Sequence, residues 1–212
     1  MRIGIYGGSF NPIHQGHISL ARDICQAGLI HQVWLMVSPL NPLKQDQQGD
    51  LLHHSLRVRM AELALAEEPQ LFASDFETHL PIPSYTINTL HALREAYPQH
   101  EFVLIVGEDN WERFHHWYHA DEIRRDYDII VYGRKSNTPA DNAPTQEAKV
   151  QVYPHGKRKR TLRRQFKLYP ISSTDIRQAL KENNMALASA WLHPAVLQFI
   201  QEHQLYRASF HS

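Results

Sequence analysis

His14 and His17, spaced by two residues in His14-Gln15-Gly16-His17, are by type and position the side chains best suited to do chemistry in this chain. At i and i+3 two imidazoles share one face of a helical turn, and each can donate an N–H to a phosphate oxygen. They follow an apolar run, Ile3 to Tyr6, and the turn Gly7-Gly8-Ser9-Phe10-Asn11-Pro12. A strand, a glycine turn and a helix start in that order make a pocket for a polyphosphate. Small residues let backbone N–H groups approach the oxygens, and the helix N-terminus adds partial positive charge. Gly16 has no side chain to block a base or ribose lying over the helix. The histidines could instead be a partly buried pair bonded to backbone carbonyls; the coincidence of strand, turn and spacing favours phosphate. The stretch lacks a P-loop lysine and is not G-x-G-x-x-G, so neither familiar nucleotide fingerprint applies.

A second constellation, Ile171-Ser172-Ser173-Thr174-Asp175-Ile176-Arg177, opens a helix far downstream. Ser and Thr suit N-cap positions, and Arg177, about one turn in, can grip a phosphate through two N–H groups. Alone it would read as an ordinary capped helix with a solvated arginine. Taken with the first motif it resembles the HxGH nucleotidyltransferase superfamily, and within it the bacterial nicotinate-mononucleotide adenylyltransferases. That resemblance implies ATP held between the two motifs, with His14, His17 and Arg177 catalytic. It implies ATP contacts from Gly8, Ser9, Phe10, Gly16, Gly107, Asp109, Arg134, Ser172, Ser173 and Thr174. No protein metal site is expected; Mg²⁺ accompanies the nucleotide.

These residues need a scaffold, and the chain of 212 residues is long enough for one full core. Arg2–Tyr6, Val33–Val37, Leu71–Ser74, Phe102–Val106 and Ile129–Tyr132 are short apolar runs of the kind buried in parallel sheets. Helical patterns lie between them over Ile18–Ala27, Ser55–Ala66, Thr86–Ala96 and Trp111–Arg124, with a last helix over Pro194–His203. Strands alternating with helices predict an α/β, doubly wound, mostly parallel sheet of Rossmann-like type. The expected organisation is a single domain over 1–212, with a sheet core to about 165 and a small C-terminal helical region from about 170. Ligands in such sheets bind at the carboxyl ends of strands, where Gly7, Ser38-Pro39, Gly107 and Gly133-Arg134 fall. Ser136–Ala148 reads as a loop.

Three middle segments bear on the acceptor. Ser84-Tyr85-Thr86 gives a hydroxyl-rich helix start, Gly107-Glu108-Asp109 a carboxylate after a strand, and Phe114-His115-His116-Trp117-Tyr118 an aromatic plane. Each also has a structural reading, as helix cap or core aromatic. By resemblance, Trp117 stacks a pyridine ring, Tyr85, Thr86 and Tyr118 lie at its carboxylate, and Asp109 holds the adenosine side. The relatives' Pro-His-Lys triplet is here Asn41-Pro42-Leu43-Lys44, leaving Lys44 for the mononucleotide phosphate without a neighbouring donor. His115 and His119, as i, i+4 neighbours on a helix, have zinc spacing, but with no acid or cysteine clearly convergent on them His115, His116 and His119 read as a partly exposed, hydrogen-bonded cluster.

The 22 basic residues balance 22 acidic ones, so global charge predicts neither a nucleic-acid nor a membrane partner; a homo-oligomer is left open. Lys157–Lys167 carries seven of those basic residues and no acid, and reads as a solvated basic loop. The single cysteine, Cys25, suits a buried apolar role and excludes an internal disulfide. With no leader-like opening and no long apolar run, a cytoplasmic protein is expected. The expected reaction is adenylyl transfer from ATP to nicotinate mononucleotide. Nicotinamide mononucleotide or phosphopantetheine are alternative acceptors, and a non-catalytic nucleotide sensor is the alternative from another class.

Overall fold

The five apolar runs become the parallel strands of one sheet, and two more polar strands extend it. In a computed structural model, residues 1–39, 51–134, 146–155 and 160–207 are described, without the side chains of 134, 146–149 and 160–168. The strands are β1 (Arg2–Gly8), β2 (Gln32–Val37), β3 (Leu71–Ser74), β4 (Glu101–Gly107), β5 (Asp128–Arg134), β6 (Gln146–Tyr153) and β7 (Arg160–Leu168). Their order is β3-β2-β1-β4-β5-β6-β7; the first five are parallel, and β6 and β7 are antiparallel additions. The chain leaves β1 toward β2 on one side and returns as β4 on the other. The carboxyl ends of β1 and β4 therefore flank the switch point at which such sheets bind ligands.

Alternate residues feed opposite faces. Val33, Leu35, Val103 and Ile105 pack with α1 (Gln15–Gln26), α2 (His54–Leu65) and the C-terminal helices α6 (Ser173–Lys181), α7 (Met185–Trp191) and α8 (Pro194–Glu202). Ile3, Ile5, Leu104 and Val106 pack with α3 (Thr86–Ala96) and α5 (Ala120–Asp126). Cys25 is buried in α1, where burial pushes its thiol up to about 11, so it is an inert apolar filler as its neighbours predict. Among the described residues no helix is long and apolar enough to cross a membrane.

Three expectations are corrected. The helix expected over Trp111–Arg124 is broken into α4 (Glu108–Glu112), a 3-10 turn at Phe114–His116, and α5. His119 causes the last break, adopting a left-handed φ of 54° before α5; it bonds Glu122 at 2.8 Å, so His115 and His119 do not share a helical face. From Arg160 on, the basic stretch is a strand, with residues 157–159 outside those described: Arg160–Leu168 forms β7 at the sheet edge, a place where charged side chains discourage further pairing. The loop expected over Ser136–Ala148 does not extend to Ala148, because β6 begins at Gln146; residues 135–145 lie outside those described.

One buried side chain fixes the loops above the sheet. Arg57 of α2 is 1 % exposed, and its guanidinium donates to the carbonyls of Ser9 (2.7 Å), Ser38 (2.8 Å), Leu52 (2.9 Å) and Pro39 (3.2 Å). It thereby ties the turns after β1 and β2 to the start of α2. Replacing it by a residue of similar volume leaves these carbonyls short of a donor. Arg57→Met should cost on the order of 3 kcal/mol in urea unfolding; a loss under about 1 kcal/mol would show that water substitutes for the guanidinium.

Candidate active site

The turn after β1 leads into α1 with His14 as its N-cap, and the two histidines cap the helix themselves. His14 Nδ1 accepts from the Gly16 N–H at 3.1 Å, and His17 Nδ1 accepts from the His14 N–H at 3.2 Å. Two backbone donors that a phosphate would otherwise meet are thus taken. In exchange, each neutral ring that accepts at Nδ1 must carry its proton at Nε2, giving donors of known tautomer. The rings overlap, centroids 3.7 Å apart with 32° between planes, and Phe10 meets His17 edge-on at 5.0 Å. A Cβ at Gly16 would stand 3.0 Å from the His14 ring, so its bareness makes room for the cap.

His14 is 5 % exposed, and burial lowers its pKa to about 4, with the Asp175 carboxylate pulling weakly the other way. It is a neutral donor at physiological pH. Asp175 belongs to the second motif, which the structure brings against the first. Ser173 Oγ donates to the Pro12 carbonyl at 2.9 Å, and Arg177 Nη1 to the Asn11 carbonyl at 2.9 Å. Arg177 Nη2 reaches Thr174 Oγ1 at 3.2 Å, while its Nε is buried without an acceptor among the described residues. Ser172 caps α6 in a reciprocal box with Asp175: Ser172 N–H to Oδ2 is 2.9 Å, and the Asp175 N–H to Ser172 Oγ is 3.2 Å. Asn11 is the hub, its side-chain oxygen accepting from Tyr206 at 2.7 Å and from the Leu52 N–H at 3.3 Å.

A cleft runs from Gly7, Gly8 and Ser38 to Thr86, Trp117 and Tyr118, over the ends of β1 and β4. Tyr85 is the N-cap of α3 and makes no side-chain cap bond, so Thr86 presents a helix start as expected. Tyr85 stacks on Tyr118 at 4.5 Å, and Trp117 packs on Phe114 at 5.1 Å. The Trp117 indole N–H and Ser84 Oγ are buried without partners among the described residues. Leaving such a group unmade costs about 1–3 kcal/mol, so both mark a wall not fully satisfied by its own chain. Gly107 ends β4, and Asp109 is exposed in the first turn of α4. Ser9 contributes its carbonyl to Arg57. Arg134 ends β5 with its side chain outside the description, and Lys44 lies outside the described residues.

Sequence reasoning missed Arg57 and Glu77. The available signal for Arg57 was a charge in register with Met60, Ala61 and Ala64 on the buried face of α2. Glu77, 7 % exposed in the cleft wall, accepts from Thr89 Oγ at 2.9 Å, and burial raises its pKa. Nothing local announces it, because its burial depends on α3 packing across it.

The chain belongs to the cytidylyltransferase-like family, whose family model matches residues 5–179. A relative from Bacteroides thetaiotaomicron, named probable nicotinate-nucleotide adenylyltransferase, is 40% identical over 96% of this chain and 92% of its own. One of the same name from Flavobacterium johnsoniae is 36% identical over 98% of this chain and all of its own (100%). The fold is shared with Plasmodium falciparum nicotinic acid mononucleotide adenylyltransferase complexed with NaAD, at a TM-score of 0.71 and 22% identity, covering 97% of each chain.

The buried cap has a pH signature. The folded pKa of His14, about 4, lies below the ordinary 6.5, so between these values the unfolded chain binds a proton that the folded one refuses. The associated stability is complete above pH 6.5 and is lost as pH falls toward 4, by about 3 kcal/mol in all. Asn caps helices without titrating. Urea midpoints of wild type and His14→Asn should therefore converge or cross as pH drops from 7 to 4; a constant difference would contradict a desolvated His14.

Proposed function

We propose that this chain transfers the adenylyl group of ATP to nicotinate mononucleotide, giving nicotinate adenine dinucleotide and pyrophosphate, a step of NAD biosynthesis. The observation that carries the reading is the convergence of two distant motifs, through Ser173 on Pro12 and Arg177 on Asn11, at the end of the strand that also floors an aromatic cleft. The curated relatives' names support the acceptor. We read residues 1–212 as a single nucleotidyltransferase domain acting in the cytoplasm.

The acceptor's phosphate is already ionised at neutral pH, so the reaction needs neither a general base nor a covalent enzyme intermediate. One of its oxygens attacks the α-phosphorus of ATP in line, the bond to the bridging oxygen breaks, and pyrophosphate departs with that electron pair. The protein supplies alignment and neutralisation of developing charge. The Nε2–H of His17 meets the charge growing at the α-phosphate, and neutral His14 adds a second donor beside it. Arg177, whose Nε awaits an acceptor, holds the leaving pyrophosphate with Ser173 and Thr174 at the start of α6. Gly8, Ser9, Phe10, Gly16 and Ser172 shape the ATP site, with Gly107, Asp109 and Arg134 toward adenosine.

Mg²⁺ would arrive with ATP, carried by phosphate oxygens and water rather than by a dedicated protein cage. Bound so, it would offset phosphate charge. The pyridine ring stacks on Trp117, and its carboxylate meets the free N–H groups at the start of α3 near Thr86, beside Tyr85 and Tyr118. Lys44 serves the mononucleotide phosphate.

Mass-spectrometric turnover with ATP, Mg²⁺ and separate nicotinate, nicotinamide and phosphopantetheine acceptors tests the reaction. Dinucleotide mainly from nicotinate mononucleotide is expected; silence in every tube would refute it. His17→Ala should lower kcat on the order of 100- to 1,000-fold with ATP binding retained, and near-normal turnover would remove His17 from the transition state. Trp117→Ala should raise the acceptor KM before it touches kcat.

A further inference from the structure

Tyr6, near the end of β1, and Tyr132, near the end of β5, reach toward each other across β4, the strand between them. Their hydroxyls are 2.9 Å apart, and the rings meet edge-to-face at 5.9 Å and 81°. The approach is open because β4 ends in glycine: a Cβ on Gly107 would stand 3.3 Å from Tyr132 Oη and 2.6 Å from Asp109 Oδ1. Burial drives both phenols away from ionisation, Tyr132 to about 12 and Tyr6 well above its ordinary value. Each therefore keeps its hydroxyl hydrogen at neutral pH. One hydrogen is used between them; among the described residues no acceptor takes the other. Both rings line the cleft.

We propose that the Tyr6–Tyr132 hydroxyl pair donates its second hydrogen to the phosphate of the acceptor mononucleotide and so positions that group for attack. The inference rests on the adenylyl-transfer reading. A mononucleotide with its ring at Trp117 and Thr86 lays its phosphate toward the Gly7, Gly8 and Ser38 end of the same cleft. There Tyr6 stands 6.1 Å from His17, centroid to centroid. A neutral buried donor suits this place. It brings no charge that would need its own counterion, and a hydroxyl bond to an ionised phosphate is stronger in a low-dielectric cleft than in water. Because each hydroxyl orients the other, the two act as one unit.

The test is Tyr132→Phe, Tyr6→Phe and the double variant, each measured by steady-state kinetics, by calorimetric titration with nicotinate mononucleotide and by thermal melting. In each single variant the mononucleotide KM and Kd should rise on the order of 10-fold. The double variant should be no more than about twofold worse than the poorer single, and the ATP KM should stay put. A merely structural pair would lower Tm and shift the constants for both substrates together. That result, an unchanged mononucleotide constant, or strict additivity of the two losses overturns the proposal. If one variant fails to fold, the other decides. Wild-type protein that binds the mononucleotide without turnover would refute the adenylyl-transfer reading while the Kd values still judge the pair; wild-type protein that does not bind it would refute both.

Discussion

The bonds of the Arg57 guanidinium to four backbone carbonyls, three of them in the two turns above β1 and β2, are the interaction on which the rest of the site depends. A charge in a protein interior costs several kcal/mol unless its donors are used. Arg57 uses its fork on carbonyl dipoles, with no carboxylate partner among the described residues. The geometry is demanding: a lysine offers one ammonium where these carbonyls need a planar spread of donors. By fixing Ser9 and Leu52, Arg57 sets the position of Asn11, and Asn11 receives Arg177, Tyr206 and Leu52. The proposed catalytic constellation thus stands on a residue that touches none of its proposed substrates.

Helix α1 uses its N-terminus in an unusual way. Helix starts commonly bind anions through bare backbone N–H groups. Here two backbone N–H groups at the helix start are covered by imidazoles, which leaves the proton of each neutral ring at Nε2. The arrangement spends main-chain hydrogen bonds on fixing ring orientation and tautomer before any substrate arrives. Electrostatic stabilisation is effective when donors need no reorganisation during reaction. Burial contributes by holding His14 neutral, so its donor does not fluctuate with pH near neutrality.

Much of the fold was legible because parallel strands buried on both faces leave near-continuous apolar runs, and all five expected runs became strands. Both chemical motifs were legible because each is local and tied to a helix start. The rest was written in longer-range terms. Lys157–Lys167 reads as solvated because charge dominates it, yet an edge strand such as β7 tolerates charge through its backbone pairing with β6. The break at His119 follows from a backbone conformation that a helical pattern does not reveal. Tyr6 looked like the last residue of an apolar run; its partner is 126 positions away. Arg57 offered a faint signal, and Glu77 none, since a carboxylate becomes a cleft wall only when another helix closes over it.

The bonds joining α6 to the β1 turn span 161 and 166 positions. During synthesis the five parallel strands, all complete by Arg134, can pair while α6 is still unmade. The chain can therefore acquire its sheet, with one half of the proposed phosphate site displayed on it, well before it acquires the other half. A ribosome-bound or truncated product would present HxGH on a partly formed sheet but lack the arginine proposed to hold the leaving group. Long-range closure of this kind makes the site report on completion: only a chain translated through Arg177 has both sides of its cleft.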